Sequence, residues 1–259
     1  MLVLLPPSER KTAPDAGAPV DLATLGSGRL SAHRAAVLDA LAAVSARPDA
    51  VRVLGVGASL AAEVERNTRL DTEPAAPASG IYSGVLYAAA GLDHLPDAAR
   101  ARADRSIRVI SALWGLVRPS DRIPAYRLAM STDLPGIGPL TRAWRPLLAV
   151  ELDPRAADEL VVDCRSAAYL AAWRPPCGTP GWVTVRVLRE RDGRRSAVSH
   201  QAKHARGLLS RHLLVRPDHE PATPADLLAA SRELIGAGLI DADLSAPRNG
   251  ARVLTLTVG

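Results

Sequence analysis

Short apolar runs and helical patterns alternate along this chain. Leu2–Leu5 is a continuous apolar run that ends at two prolines, and residues 160–163 form a second run of this kind. A third run begins at Val109 and breaks at Ser111 and Gly115. Short aliphatic runs bounded by proline, glycine or polar residues predict buried strands. The chain is therefore expected to contain a sheet whose strands are well separated in sequence.

Helices and a hairpin are predicted around these strands. Ser31 can cap a helix through Ser45, because Ala35, Leu38 and Leu41 share one face. Residues 182–189 and 195–199 flank the turn residues 191–194, which is the pattern of a β-hairpin, and residues 253–258 form a closing strand. Further helices are expected at about 59–70, 85–92, 97–105, 141–150, 166–173, 200–214 and 223–235.

Composition and charge narrow the class of protein only modestly. With 47% hydrophobic residues in 259, the chain can bury a sizeable core, and no linker is long enough to separate two domains. The net charge of +5 and the pI of about 9.7 favour an anionic partner such as nucleic acid, nucleotide or phosphate. Lys11 and Lys203 are the only lysines, so the richness in arginine reflects general codon bias and is weak evidence of function.

The two cysteines and the lengths of the apolar runs indicate the cellular compartment of the protein. Cys164 and Cys177 are the only cysteines and lack the spacing of a metal site, which predicts free thiols in a reducing cytosol. Met1–Leu5 is too short for a signal peptide, and no apolar run approaches the roughly 20 residues of a membrane span. A cytoplasmic protein without a membrane segment is expected.

The loop that follows the third strand carries the densest polar chemistry. Between Arg118 and Arg127 it holds three guanidiniums together with the carboxylate of Asp121 and the phenol of Tyr126, and Pro119 and Pro124 stiffen it. A rigid loop with several guanidiniums is suited to gripping an anion.

Four polar segments are candidates for one site: 8–12, 118–127, 163–166 and 200–211. Each follows a predicted strand or begins a helix. If they converge, cations from three of them would meet, with Asp121 and Tyr126 orienting them. The alternative is that these cations lie on separate solvated faces, and spacing alone does not decide between the two. The cations are Lys11, Arg118, Arg127, Lys203, Arg206 and Arg211.

Three other patterns are weaker. His200 and His204 have the spacing of helical metal ligands, but Gln201 stands where zinc hydrolases of the HExxH type carry Glu, and the nearest carboxylates, Asp218 and Glu220, are expected beyond the helix. Cys164 beside Arg165 could be a nucleophile, although a core residue is the better interpretation. The sequence GVGAS at 55–59 lacks the lysine of a phosphate-binding loop. No metal or cofactor is predicted.

The sequence LPGIGPL at 134–140 has the form of the hairpin in helix-hairpin-helix DNA-binding elements. Gly136 and Gly138 would let backbone amides approach a phosphate. The motif needs a helix on each side: the predicted helix from Thr141 supplies the second, and Tyr126–Thr132 would have to supply the first. An ordinary glycine-proline turn is the alternative.

Five segments in this order resemble the YaaA family of peroxide-stress proteins, and together they span most of the chain. They are LLPPSERKT at 4–12, YSGVLY at 82–87, SALWGLVRPSDRIPAYRLAM at 111–130, VVDCRSAAY at 161–169 and AKHARGLLSRHL at 202–213.

The resemblance implies an α+β fold, with 1–259 as a single compact mixed sheet-and-helix domain containing a positively charged cleft. It also implies DNA binding through a helix-hairpin-helix-like element and resistance to hydrogen peroxide through lowered free iron. By position on the motifs, the cleft would be lined by Ser8, Lys11, Arg118, Asp121, Tyr126, Arg127, Lys203, Arg206 and Arg211. Arg10, Cys164, Arg165 and His204 depart from the family pattern.

Two functions of different classes follow. In the first, the cleft and the hairpin with Gly136 and Gly138 bind DNA without chemistry, and binding depends steeply on salt. In the second, an enzyme of specialised metabolism acts on a nucleotide, nucleobase or other small anionic substrate. Asp121, Tyr126 and Lys203 are the catalytic candidates for that enzyme, since they would place acid-base groups beside cations. The sequence names no reaction and no oligomeric state.

Overall fold

The computed structural model describes residues 1–217, 219–248 and 250–259. Eight strands form the main sheet, in the order β11-β12-β9-β8-β1-β3-β4, with β10 on β9. Their bounds are Leu2–Leu5 (β1), Ile107–Ser111 (β3), Gly115–Val117 (β4), Val161–Asp163 (β8), Trp182–Arg191 (β9), Arg194–Ala197 (β10), Asp241–Leu244 (β11) and Arg252–Val258 (β12). Two small two-stranded pairs lie apart: Ala76–Pro77 (β2) with Arg122–Ile123 (β5), and Asp133–Leu134 (β6) with Gly138–Pro139 (β7).

The centre of the sheet is parallel and its edges are antiparallel. β1 lies between β3 and β8, and Val3 pairs with Ile107 on one side and with Val162 on the other. β8, β9 and β12 continue the parallel arrangement, whereas β4, β10 and β11 pair in the antiparallel sense. Every residue of β1 is buried, because a parallel strand in the middle of a sheet is covered on both faces. The strands expected from the apolar runs are confirmed.

The helices are α1 to α10 in chain order. Their bounds are Ser31–Ser45 (α1), Ala50–Val53 (α2), Ala61–Arg66 (α3), Ala78–Ile81 (α4), Val85–Ala90 (α5), Asp97–Ser106 (α6), Leu140–Asp158 (α7), Ala167–Leu170 (α8), His200–Val215 (α9) and Pro224–Arg232 (α10). Short 3-10 helices cover Gly28–Leu30, Ala58–Leu60, Asn67–Arg69 and Leu92–His94. The mixed α and β fold expected from the sequence is confirmed, and the buried apolar side chains form one cluster.

Local signals predicted some boundaries well. Thr223 accepts a hydrogen bond from the amide of Asp226, whose side chain accepts one from the amide of Thr223, so a capping box begins α10. The β9–β10 turn places Asp192 and Gly193 at φ of 53° and 72°, as a hairpin turn with two left-handed residues requires. Residues 55–59 connect helices, and their phosphate-loop pattern has no strand before it.

Other boundaries differ from the prediction. The helix expected at 59–70 is divided into α3 and two 3-10 turns, and the one expected at 166–173 is only the four residues of α8. Helix α7 continues eight residues beyond Val150, through Pro154. Packing decides these ends, since Leu148, Leu152 and Ala156 keep one side of α7 buried after the sequence pattern weakens.

Helices α5 and α9 pack closely on each other, and α9 carries the predicted site segment 200–211. Gly207 of α9 makes the approach possible, because a Cβ atom there would lie 2.2 Å from the carbonyl oxygen of Leu86. Within the described ranges, no helix has both the length and the apolar character needed to cross a membrane.

Candidate functional site

The parallel strands deliver three polar segments to one edge of the sheet. Ser8 and Lys11 follow β1, Ser111 ends β3, and Cys164 follows β8. The chain passes from β1 to β3 on one side and returns to β8 on the other, so the strand order reverses at β1. Ligands of open α/β sheets bind in the crevice at the carboxyl ends of the strands where this reversal occurs. We call the side chains gathered here the Lys11 centre: Ser8, Lys11, Glu63, Tyr82, Ser111, Tyr126 and Arg127.

Lys11 is held by its backbone and its side chain. Its backbone forms an antiparallel bridge with Tyr82, and Nζ donates a hydrogen bond to the carbonyl oxygen of Ser8 at 2.7 Å. Nζ also lies over the ring of Tyr126, 4.2 Å from its centroid, and 5.8 Å from that of Tyr82. Part of the residue remains exposed although the amino group is enclosed. The contacts of Nζ are thus one carbonyl oxygen and two aromatic faces.

This environment favours the neutral amine. Burial is the main cause that lowers the pKa of Lys11 to about 7, and the positive charge of Arg127 lowers it further. The carboxylates of Glu63 and Glu9 act in the opposite direction with smaller effect. Near neutral pH, Lys11 is therefore present in both the amine and the ammonium form, whereas a lysine with the usual pKa is almost entirely ammonium.

A chain of three hydroxyl groups lies beneath Lys11. Ser111 Oγ is 2.7 Å from the hydroxyl of Tyr126, which is 3.2 Å from that of Tyr82. Ser111 Oγ also accepts from the amides of Leu113 and Trp114, at 3.2 and 3.0 Å. A hydroxyl oxygen has two acceptor positions, so the hydrogen of Ser111 must point to Tyr126. Burial raises the pKa of both tyrosines well above the usual value, so both hydroxyls keep their protons.

Arg127 is fixed by Glu63 of α3 and by Asn67 of the 3-10 helix that follows α3. Its guanidinium pairs with Glu63, with 2.9 Å between Nε and Oε2, and its backbone exchanges two hydrogen bonds with the side-chain amide of Asn67, at 2.8 and 2.9 Å. The structure thus places Arg127, Tyr126 and Lys11 together, a point that spacing in the sequence left open. Sequence reasoning missed Glu63 and Asn67, and it gave no role to Tyr82 or Ser111, although both lie in the segments that carry the family resemblance.

Asp121 and Arg118 have other partners. The two carboxylate oxygens of Asp121 accept from the amides of Gly26 and Arg118, at 3.0 and 2.7 Å, so this residue fixes its own loop to the Gly26 loop. Arg118 is exposed and its side chain lies against Gly26. The structure thus gives Asp121 a structural role in the loop, and nothing in its contacts links it to Lys11.

The basic face of α9 comprises Lys203, Arg206 and Arg211. Arg206 donates to the carbonyl oxygen of Val185 at 2.8 Å, and Arg211 donates to those of Ala90 and Gly91 at 3.2 and 3.3 Å, where it covers the end of α5. Lys203 is exposed. Because Gly207 lies beside Leu86 and Arg211 beside Gly91, Lys203 lies one helical turn further, at the level of the start of α5.

The hairpin glycines have the conformation but not the full context that the sequence motif requires. Gly136 and Gly138 adopt φ of 89° and 88° in the turn between β6 and β7, and α7 follows directly. The first helix that the motif would require at Tyr126–Thr132 does not form, and these residues lie in a loop with a turn at 130–131. Residues 120–130 are instead held by contacts such as those of Asp121 and Asn67.

Cys164 is buried, whereas His200 and His204 are exposed on α9. Burial raises the pKa of Cys164 to about 12, so its thiol is a poor nucleophile, and Cys177 is exposed. His212 contacts Glu233 at 2.8 Å, and Glu220 pairs with the N-terminal amine at 3.6 Å. Asp218 lies outside the described residues. Among those that are described, no group of three or more histidine, cysteine, aspartate and glutamate side chains is arranged to hold a metal ion.

Two open cavities lie away from the Lys11 centre. The larger, about 630 Å³, is lined by α7 and residues 171–176, including Arg145, Asp153, Trp173 and Arg174. The smaller, about 390 Å³, lies between α4, α6 and the loop at Pro119. None of the predicted anion-binding residues lines either cavity. The positively charged cleft stays a prediction.

Comparison with known proteins assigns the chain to a family. Residues 1–233 match the family described as peroxide stress protein YaaA. A UPF0246 protein of Streptomyces coelicolor is 44% identical over 261 residues, covering all of this chain and 98% of the relative. UPF0246 proteins of Corynebacterium efficiens and Corynebacterium glutamicum are 40% and 36% identical, covering 92% and 100% of this chain and 94% and 100% of the relatives. The chain therefore belongs to the YaaA family of peroxide stress proteins.

Proposed function

We propose that the Lys11 centre binds a small anionic ligand and acts on it as an enzyme. The observation that carries the proposal is the position of Lys11 Nζ, enclosed by two tyrosine rings beside Arg127 at the carboxyl ends of β1, β3 and β8. A bound anion would stabilise the ammonium form that burial disfavours, so binding and proton uptake are coupled. Binding to the phosphates of DNA does not require an enclosed amine whose charged form is disfavoured.

The test compares the two lysines of the chain. The thermal unfolding temperature is measured at pH 8 with inorganic phosphate, acetate or adenosine monophosphate for the wild type, Lys11→Met and Lys203→Met. At least one of these anions is expected to raise the unfolding temperature of the wild type and Lys203→Met but not of Lys11→Met. Calorimetry in buffers of different ionisation enthalpy is expected to show proton uptake on binding. Equal stabilisation of all three proteins, or of none, would overturn the proposal.

DNA binding is a second candidate, supported by the exposed basic groups. Lys203 and Arg118 are exposed, and Gly136 and Gly138 form a tight turn directly before α7, where Arg142 is also exposed. Backbone amides at such a turn and the start of a helix can contact phosphate. In this reading the protein would limit the damage to DNA that peroxide causes with free iron, as the family resemblance implies.

Salt dependence tests the DNA candidate. Binding to labelled duplex, bent and junction DNA is measured at about 50 and 200 mM salt, the range over which phosphate contacts weaken strongly. Lys203→Glu is expected to weaken binding to all DNA sequences alike. Lys11→Met is expected to leave DNA binding unchanged, because the amine that it removes is enclosed. Absence of binding at the lower salt concentration would exclude this candidate.

A further inference from the structure

We propose that Lys11 is a covalent attachment site, whose amine condenses with the carbonyl group of a small anionic aldehyde or 2-oxo acid. The inference rests on the proposed function, because it names the substrate class of the same site. It goes beyond that function in assigning a bond between the protein and its ligand.

The first argument is the set of contacts around Nζ. A lysine that serves only to bind an anion is best kept charged, with carboxylates or water around it. Nζ of Lys11 instead lies against the rings of Tyr126 and Tyr82 and bonds one carbonyl oxygen, and the charge that acts on it most strongly is the like charge of Arg127. Glu63, the carboxylate nearest to this pair, is bonded to Arg127. An enclosed lysine beside a second cation is the arrangement that activates an amine as a nucleophile.

The second argument is the chemistry of the neighbouring groups. The guanidinium of Arg127 is the positive charge that acts on Lys11, and it would attract the anionic part of a ligand. Ser83, which directly follows Tyr82, has a buried hydroxyl without a hydrogen-bond partner among the described residues. A buried polar atom of this kind usually has a partner, so a ligand oxygen is a fitting one.

The third argument concerns the protons that move when the amine of Lys11 condenses with the carbonyl group. The neutral amine attacks the carbonyl carbon, so that a C–N bond forms and the carbonyl oxygen, after protonation, becomes a hydroxyl group. One proton of the attacking nitrogen offsets the proton that the carbonyl oxygen takes up, and the second nitrogen proton leaves with the hydroxyl group as one molecule of water, which gives the imine. The nitrogen itself supplies these protons, and the hydroxyl groups of Tyr126 and Tyr82, which keep their own, are polar groups beside the amine. No oxidant or reductant is required for this condensation.

The sequence provides an internal control. Lys203 is the only other lysine, and it is exposed on α9. The N-terminal amine is paired with Glu159 and Glu220, at 3.2 and 3.6 Å. Selective reaction at Lys11 can therefore be measured against two other amines of the same molecule.

The experiment traps the imine by reduction. The full chain is incubated at pH 7.5 with pyruvate, glyoxylate or pyridoxal phosphate and sodium cyanoborohydride, and the adducts are located by peptide mass spectrometry. We expect adduct formation at Lys11 to exceed that at Lys203 by at least about tenfold, because the neutral fraction of an enclosed amine is larger. Lys11→Met should lose the preferred adduct, and Tyr82→Phe should slow it while circular dichroism shows an unchanged fold.

Equal labelling of the two lysines, or labelling mainly of Lys203 or the N-terminus, would overturn the inference. The proposed function is judged separately, by the effect of phosphate, acetate and adenosine monophosphate on the unfolding temperature. If one of these anions stabilises the wild type but not Lys11→Met, while none of the three carbonyl probes gives an adduct at Lys11, the ligand is bound without a covalent bond. In that case the inference fails and the proposed function stands.

Discussion

The Lys11 centre and the basic face of α9 look alike in sequence but differ in structure. Arg206 and Arg211 donate to backbone carbonyl oxygens and thereby join α9 to β9 and α5. Lys11 contacts two aromatic rings and a single carbonyl, at the edge where three parallel strands end. Basic side chains thus bond the backbone in one region, whereas in the other the amine lies mainly against aromatic rings.

The difference teaches how basic residues should be interpreted in an arginine-rich chain. A guanidinium has five donors and can satisfy several carbonyl oxygens at helix and strand ends, so many arginines serve the backbone. An amine placed between aromatic rings satisfies little of the backbone and loses part of its charge. Contacts, rather than the number of cations, separate the two regions.

The largest expected effect concerns the packing of α9. Gly207→Ala is expected to lower the free energy of unfolding by about 3 kcal/mol, because the new Cβ would lie 2.2 Å from the carbonyl oxygen of Leu86 and 2.7 Å from the Cβ of Ala89. Gly80→Ala in α4 is the matched control: it meets open space and should raise stability by up to about 1 kcal/mol. Urea unfolding measures both, and a loss of similar size in both variants would contradict the role given to the α5–α9 contact.

The next effect is a pH dependence at Lys11. The pKa of Lys11 is lowered to about 7 from the usual 10.5, so between these pH values the unfolded chain holds a proton that the folded chain has released. Stability due to this residue therefore rises with pH, by at most about 1.4 kcal/mol per pH unit. The Lys11→Met variant has no ionisable group at this position, so its free energy of unfolding lacks this increase with pH.

The measurement is the difference in unfolding free energy between Lys11→Met and the wild type at pH 6.5, 8 and 9.5. The variant is expected to be favoured most at pH 6.5 and progressively less as the pH rises. Titrating groups common to both proteins cancel in the difference. A difference that stays constant from pH 6.5 to 9.5 would show that Lys11 keeps its proton in the folded protein.

The smallest effects are expected on the basic face of α9. Arg211→Ala should cost about 1 kcal/mol, since two carbonyl oxygens at the end of α5 lose a charged donor. Lys203→Ala, in the same helix, should change stability by less than about 0.5 kcal/mol because its side chain is exposed. Chemical denaturation of the two variants checks this order, and an equal loss in both would remove the distinction between a structural and a free cation.

Several features of the candidate site could be predicted from the sequence and others could not. The loop from Arg118 to Arg127 was proposed as a carrier of cations, and it places Arg127, with the ring of Tyr126, beside Lys11. Glu63 and Asn67 could not be anticipated, since they lie about 60 residues before Arg127 in a segment without a distinctive pattern. The helix that a helix-hairpin-helix element would need before Gly136 is absent, because the contacts of Asp121 and Arg127 hold residues 120–130 in a loop.

The sequence by itself determined the elements and the family. Short aliphatic runs produced β1, β3 and β8, turn residues produced the β9–β10 hairpin, and a capping box began α10, since each of these depends on neighbours within a few residues. The tertiary structure decided which cations have partners. Lys11 and Lys203 have the same side chain, but Nζ of Lys11 lies over two tyrosine rings, where burial lowers its pKa, whereas Lys203 is exposed on α9. Burial and the charges of distant residues set the pKa, and neither is encoded at short range.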